Sequence, residues 1–151
     1  MDLEEQYDKL YRYCYFKLYN IQLAQDITQE AFLRYFQQKS KLDSKKELPY
    51  LYTIARNLCI DYYRKKSALY WNNLETGEGY DPTEHWISDL DLRRAIMKLS
   101  SEERELILLR YSNEISISEI SKITGLSRFA IYRRLSRILK RLKEEMERED
   151  I

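Results

Sequence analysis

Residues that stop helices are nearly absent from this chain, and where they occur they divide it. Three glycines and two prolines are spread over 151 residues. Gly77, Gly79 and Pro82 fall in one short stretch, Pro49 stands alone in the first half, and Gly125 stands alone in the second. Glycine and proline end helices or reverse the chain. Their scarcity therefore predicts long helices, one break near the middle and one tight turn at Gly125. The expected fold is all-α: two small helical domains, residues 1–66 and 91–147, joined by a flexible acidic linker, 67–90, with a helix-turn-helix in the C-terminal one.

Charge follows the same division. The net charge is only +1, yet residues 67–90 hold five acids and no base. Residues 1–66 carry 12 bases against 9 acids, and residues 91–151 carry 14 against 11. Two mildly basic blocks thus flank an acidic connector, a distribution that matters more than the total.

The second block has the more specific pattern. Ser116 with Glu119, and Ser100 with Glu103, have capping-box spacing, so a helix should start at each serine. Ile117, Ile120 and Ile123 give the helix after Ser116 one apolar side. Gly125 then suits a left-handed turn, and Ser127 can cap a second helix. Along that helix Ile131, Leu135, Ile138 and Leu142 form a single stripe. The other side carries Arg128, Tyr132, Arg133, Ser136, Arg137 and Lys140, and from Ser127 to Lys143 there are seven Lys or Arg and no acid. A short helix, a glycine turn and a basic helix form the helix-turn-helix pattern, whose second helix enters the major groove. An ordinary amphipathic helix with a solvated basic face shares the charges; the coincidence with turn and cap favours DNA binding. Upstream, helices are expected around Leu92, Ile96 and Leu99, and through Leu106, Leu109 and Arg110.

The first block reads as three helices. Leu3, Tyr7, Leu10, Cys14 and Leu18 mark the first; a break is expected over Asn20–Gln25, and a second helix over residues 24–38. In the second, Ile27, Ala31 and Tyr35 form one stripe, and Phe32 and Phe36 lie beside it near Asp26, Gln29 and Glu30. That second stripe either docks another protein or is buried because the helix is central; the sequence leaves both open. Lys39 to Leu48 is expected to be a basic loop, with Pro49 opening a third helix whose inward residues are Leu51, Ile54, Leu58 and Tyr62. Asn57, Asp61, Arg64 and Lys65 share another side. Tyr50, Tyr52, Tyr62 and Tyr63 interleave with Arg56, Arg64, Lys65 and Lys66, a combination suited to single-stranded nucleic acid.

Other function classes find little support. No glycine-rich phosphate loop, Cys/His metal spacing or carboxylate pair beside His85 occurs, so neither catalysis, a metal nor a cofactor is expected. Cys14 and Cys59 lie at apolar helical positions and read as buried free thiols in a reducing cytoplasm. The N-terminal MDLEEQYDKL lacks an apolar core, and no run reaches membrane-span length, so neither a signal peptide nor membrane insertion is expected. Trp71 and Trp86 could dock on a partner or on one of the domains. Nothing resembles a self-pairing seam, which leaves a monomer as the expected free state.

Taken in order, DITQEAFLRYF, LPYLYTIARNLCIDYYRKK and LSSEERELILLRY leading into SISEISKITGLSRFAIYRRLSRILKRL resemble bacterial RNA polymerase sigma factors. The likeness is greatest to the minimal extracytoplasmic-function type of the sigma-70 family. It implies a cytoplasmic protein, nucleoid-associated with polymerase, that directs initiation with core RNA polymerase (its beta and beta-prime subunits) and promoter DNA, often under an anti-sigma factor. Residues 1–66 would be domain 2, docking on polymerase through Asp26, Gln29, Glu30, Phe32 and Phe36. Asn57, Asp61, Arg64 and Lys65 would then recognise and melt the −10 element, with the Lys39–Lys46 loop beside a flipped base. Residues 91–147 would be domain 4, reading the −35 duplex with Tyr132, Arg133, Ser136 and Arg137 on bases and Arg128 and Arg134 near phosphates. The linker would thread into the polymerase. Phe129 and Ala130 depart from the family's small residue followed by Thr or Ser, and Tyr50 replaces a common Trp. Two alternatives remain: a stand-alone helix-turn-helix regulator with residues 1–66 as sensor or dimerisation module, and a protein-only sigma-like adaptor.

Overall fold

The computed structural model of the chain describes residues 1–69, 86–87 and 89–149. The expectations for Trp71, for His85 and for most of the linker fall outside the described residues. Among the described residues these α-helices run in order: α1 Leu3–Leu18, α2 Ile21–Gln38, α3 Ser44–Leu69, α4 Leu90–Met97, α5 Ser101–Ile107, α6 Ile117–Thr124 and α7 Arg128–Glu149. Among the described residues there is no strand. The chain divides into two compact units, the first built on α1–α3 and the second on α4–α7, with the four residues Lys122–Gly125 grouped with the first.

In the first unit all three helices pack on one another. Asp2 caps α1 by accepting from the Glu5 amide at 3.2 Å. The break between α1 and α2 is tighter than the expected Asn20–Gln25. Tyr19 adopts φ 50°, its amide donates to the Tyr15 carbonyl, and Asn20 at once caps α2 by accepting from the Leu23 amide at 2.9 Å. One left-handed residue followed by one capping residue suffices to reverse direction. Leu10, Tyr13, Cys14, Ala24, Ala31, Tyr35, Leu51, Tyr52, Ala55 and Cys59 are essentially inaccessible to solvent. Thr28 is buried among them, its hydroxyl satisfied by the Ala24 carbonyl at 2.6 Å.

Two expectations for α3 are corrected. The helix starts at Ser44 rather than at Pro49, so most of the expected basic loop is helical: Lys39–Lys41 form a 3-10 turn, and Lys45 and Lys46 lie in the first turn of α3. Pro49 sits in the second turn, where its missing N–H deprives the exposed Lys45 of the usual bond to its carbonyl. Glu47 accepts from the buried Tyr35 hydroxyl and ties the start of α3 to α2; burial first, and then this carboxylate, raise the Tyr35 pKa. The inward stripe is also rotated. Leu51, Tyr52, Ala55 and Cys59 are buried, whereas Ile54, Leu58 and Tyr62 are only half-buried. The small side chains at 55 and 59 let the backbones approach, and Tyr52 meets Tyr13 edge to face at 5.4 Å. Hydrophobicity ranks Ile and Leu above Ala and Cys, but close helix packing selects for size.

In the second unit α7 lies against both α4 and α5. Ala95, Leu99, Leu106, Leu109, Ile115 and the stripe Ile131, Leu135, Ile138 and Leu142 are buried. Ser100 and Glu103 form the full reciprocal capping box of α5. The helix then widens into a π turn, Leu108–Ser112, in which the Asn113 amide reaches back to the Leu108 carbonyl at 2.9 Å. This widening was not visible in the spacing of Leu106, Leu109 and Arg110.

Because Ala55 is fully buried, Ala55→Leu should cost about 1–3 kcal/mol by overpacking. Leu58→Ala, at a half-buried site, should cost less than that. Urea unfolding of the two variants measures the difference, and the reverse ranking would restore the stripe expected from spacing.

Candidate polymerase and nucleic-acid interfaces

Each unit presents a charged or apolar surface carried by a helix whose other face is buried. On α2, Asp26 and Gln29 are exposed, and Glu30 is half-buried in a 2.9 Å ion pair with Arg34. Gln22 donates to Asp26 at 3.1 Å. The two phenylalanines part company. Phe36 is 49% exposed, but Phe32 is only 6% exposed, with its ring 5.4 Å from that of Tyr7. Phe32 therefore belongs to the core, while Phe36 is left open to solvent. The sequence reading missed Leu33, 60% exposed. The series Asp26, Gln29, Leu33, Phe36 has the same three-and-four spacing used to find core stripes, so the signal was present.

On α3, Asn57, Asp61, Arg64 and Lys65 are all exposed. Of the interleaved aromatics, Tyr52 is core, and the Tyr63 hydroxyl donates to the Lys17 carbonyl, anchoring a ring that remains half exposed. Lys39, Lys41, Lys45 and Lys46 are exposed, and all four stand on helical turns rather than on a loop.

The third surface is the outer face of α7. Gly125 turns the chain at φ 79°, and Ser127 accepts from the Ala130 amide at 3.1 Å to cap the helix. Ser121 donates to the Leu126 carbonyl at 2.7 Å across the turn. Ser116 accepts from the Glu119 amide at 3.1 Å, while the Glu119 carboxylate turns to the Ser116 hydroxyl at 2.8 Å. The cap is present, but the return bond goes to the side chain, unlike the reciprocal box of α5. With the stripe buried, Arg128, Tyr132, Arg133, Ser136 and Arg137 are exposed together, and Arg128 donates to Ser118 on α6 at 3.2 Å. Arg134 differs. It is half-buried and lines, with Glu102, Glu103, Leu106, Arg137 and Ile138, a pocket of about 250 Å3 between α5 and α7.

Two ion pairs fix the second half of α7 within its unit: Arg141 to Glu103 at 2.5 Å and Lys98 to Glu145 at 2.9 Å. Burial opposes ionisation of Glu103. Hydrogen bonds from the Ser100 amide and hydroxyl, with the Arg141 charge, outweigh it and hold the carboxyl below its ordinary range. Lys98, by hydrogen bond and charge, does the same for Glu145. Cys14 and Cys59 are buried, and neither is in a disulfide. Among the described residues no group of His, Cys, Asp and Glu could hold a metal ion, and no helix is long and apolar enough to cross a membrane.

A basic helix seated on a buried stripe behind a glycine turn, in a chain with a separate three-helix unit, defines a two-unit DNA-binding protein of the helix-turn-helix class. Residues 3–69 match Sigma-70 region 2, and residues 89–142 match Sigma-70, region 4. The chain is 32% identical to the ECF RNA polymerase sigma factor SigW of Bacillus subtilis (strain 168), over 92% of this chain and 83% of that protein. It is 26% identical to the RNA polymerase sigma factor YlaC of the same organism, over 96% and 90%. In fold it is similar to the sigma factor RpoE solved in complex with the anti-sigma factor NepR from Bartonella quintana, with a TM-score of 0.72, 22% identity and coverage of 93% and 91%. The chain belongs to the sigma-70 family of RNA polymerase sigma factors, in its extracytoplasmic-function branch.

The lowered Glu103 pKa has a defined sign. A carboxyl that ionises more readily folded than unfolded stabilises the fold above its unfolded pKa, and that stability is lost as pH falls through the lower folded value. Glu103→Gln keeps a capping-box side chain but loses the ion pair. It should cost about 0.2–1 kcal/mol at pH 7 and flatten the acid limb below about pH 4.5. Thermal unfolding from pH 3 to 7 reads both effects; an unchanged acid limb would show that the carboxylate contributes nothing.

Proposed function

We propose that this chain binds core RNA polymerase in the cytoplasm and directs initiation at a particular set of promoters, without catalysing a reaction itself. The observation that carries the proposal is the order of surfaces along one chain. An acid-rimmed apolar face on α2 comes first, then a polar and cationic face on α3, then a basic recognition helix, within matches to both essential sigma regions. Asp26, Gln29, Glu30, Leu33 and Phe36 dock on polymerase, with Phe32 supporting them from inside. Residues 1–66 and 91–147 act as the two functional domains. An anti-sigma factor that holds the free protein fits the same scheme, as does a monomer in solution.

Promoter reading is divided between duplex and opened strands. On α7, Tyr132, Arg133, Ser136 and Arg137 face the major groove at the −35 element, where arginine forks onto guanine and phosphates take up the flanking cations. Arg128 sits at the helix start for a phosphate, and Arg134, half-buried, reaches one only from the edge of its pocket. On α3, Asn57, Asp61, Arg64 and Lys65 meet the −10 element, and bases captured from the opened duplex offset the cost of unpairing them. A stand-alone regulator would use residues 1–66 as a sensor or dimerisation module, and the match of residues 3–69 to Sigma-70 region 2 disfavours it.

The test is transcription by bacterial core polymerase plus this protein on a promoter library, with the transcripts sequenced. Start sites behind one shared pair of elements are expected; duplex binding without polymerase, and no transcripts, would establish the regulator instead. Phe36→Ala should lower core affinity at least about tenfold with little change in Tm, whereas Phe32→Ala should unfold the first unit at a cost of about 3–5 kcal/mol. Titration of labelled core and thermal melts separate these two. Arg137→Ala should relax selection at one −35 base pair by about 1–3 kcal/mol while leaving core affinity unchanged; an unaltered motif removes Arg137 from the reading face.

A further inference from the structure

Phe129 is the most exposed large apolar side chain among the described residues, at 73%. It stands in the first turn of α7, on the outer face that it shares with Tyr132, Arg133, Ser136 and Arg137. The core makes no use of it, since Ile131, Leu135, Ile138 and Leu142 anchor the helix. On that face the guanidinium carbon of Arg133 lies 5.6 Å from the Phe129 ring centroid.

An apolar ring at the head of a recognition helix finds few apolar partners in a groove lined by donors, acceptors and phosphates. The thymine 5-methyl group is the one that base pairs offer there. The neighbouring arginine has a matching task, because a guanidinium resting by its face on an aromatic ring keeps its N–H edge free to fork onto guanine. We infer that Phe129 is a specificity-determining residue that packs on a thymine methyl of the −35 element and positions Arg133 on a guanine close by. The inference rests on the proposed −35 role of α7. Four residues of helix rise about 6 Å, or roughly two base-pair steps, which places the thymine within about two base pairs of that guanine.

The methyl group can be removed without touching the protein. Holoenzyme is first selected on duplexes randomised across the −35 element to obtain the motif. Each motif thymine is then replaced by deoxyuridine, and affinity is measured for the wild type, Phe129→Ala and Phe129→Leu. The wild type should lose about fourfold at one thymine, the worth of one methyl-sized group returned to water. Phe129→Ala should bind both probes alike, with weaker guanine selection nearby and an unaltered Tm because the ring is exposed. Phe129→Leu should keep the methyl sensitivity but lose guanine selection, since it restores apolar contact without a ring for Arg133. Wild-type indifference to deoxyuridine at every position, or equal sensitivity in Phe129→Ala, would overturn the inference alone. A wild type that selects no −35 motif would overturn the base-reading role of α7 together with it.

Discussion

Everything in the second unit depends on a buried stripe one side chain wide. The helix that carries it bears seven cations and no acid between Ser127 and Lys143, and several of them stand three or four residues apart. Each like-charge pair at that spacing costs about 0.2–0.5 kcal/mol. Burial of a Leu or Ile side chain stabilises by about 1.5–3 kcal/mol, and four are buried here. Burial therefore wins by a wide margin, and the cations can be held together on the opposite face. Glu103 draws Arg141, and Lys98 draws Glu145, so that two ion pairs within the same unit bracket the last turns of the helix. Arg128, Arg133 and Arg137 stay open to solvent, which is where a groove-reading helix needs its cations.

The first unit meets a different constraint. Its three helices converge on small residues, with Ala24, Ala31, Ala55, Cys14 and Cys59 all nearly or fully buried, and tyrosines fill the remaining space. Tyr13 and Tyr52 meet edge to face, and Tyr35 reaches the Glu47 carboxylate. A frame packed in this way has little freedom to rotate any helix, because each closely approaching backbone would meet another. The outer faces of α2 and α3 are thereby held in fixed register to one another. Leu33 and Phe36 can remain exposed only because Phe32 and Tyr35, on the adjoining face, are taken up by the core.

The parts of the candidate site that were legible beforehand are those set by local rules. The Gly125 turn, the Ser127 cap and the α7 stripe involve residues no more than four apart, so spacing alone located them. The same holds for the exposed set Asn57, Asp61, Arg64 and Lys65. Errors arose where a neighbouring helix chose between two faces. On α3 the larger Ile54 and Leu58 seemed the natural core, but α1 and α2 come too close for them, and Ala55 with Cys59 took the place. On α2 the pair Phe32 and Phe36 could not be divided by sequence, since each lies on the border between two stripes.

The sequence by itself determined an all-helical chain, a glycine-turned basic helix with one apolar edge, and the order of motifs that marks a sigma factor. These follow from backbone conformation, hydrogen-bonded caps and helical period, which act over a single turn. Only the tertiary structure decided that Pro49 lies inside a helix, that Phe32 is core while Leu33 is not, and that Arg134 turns toward α5. It also decided that Phe129 stands in solvent beneath the Arg133 guanidinium. Those outcomes depend on which side chains fit between helices distant in sequence, a competition of volume and distance that the order of residues does not display.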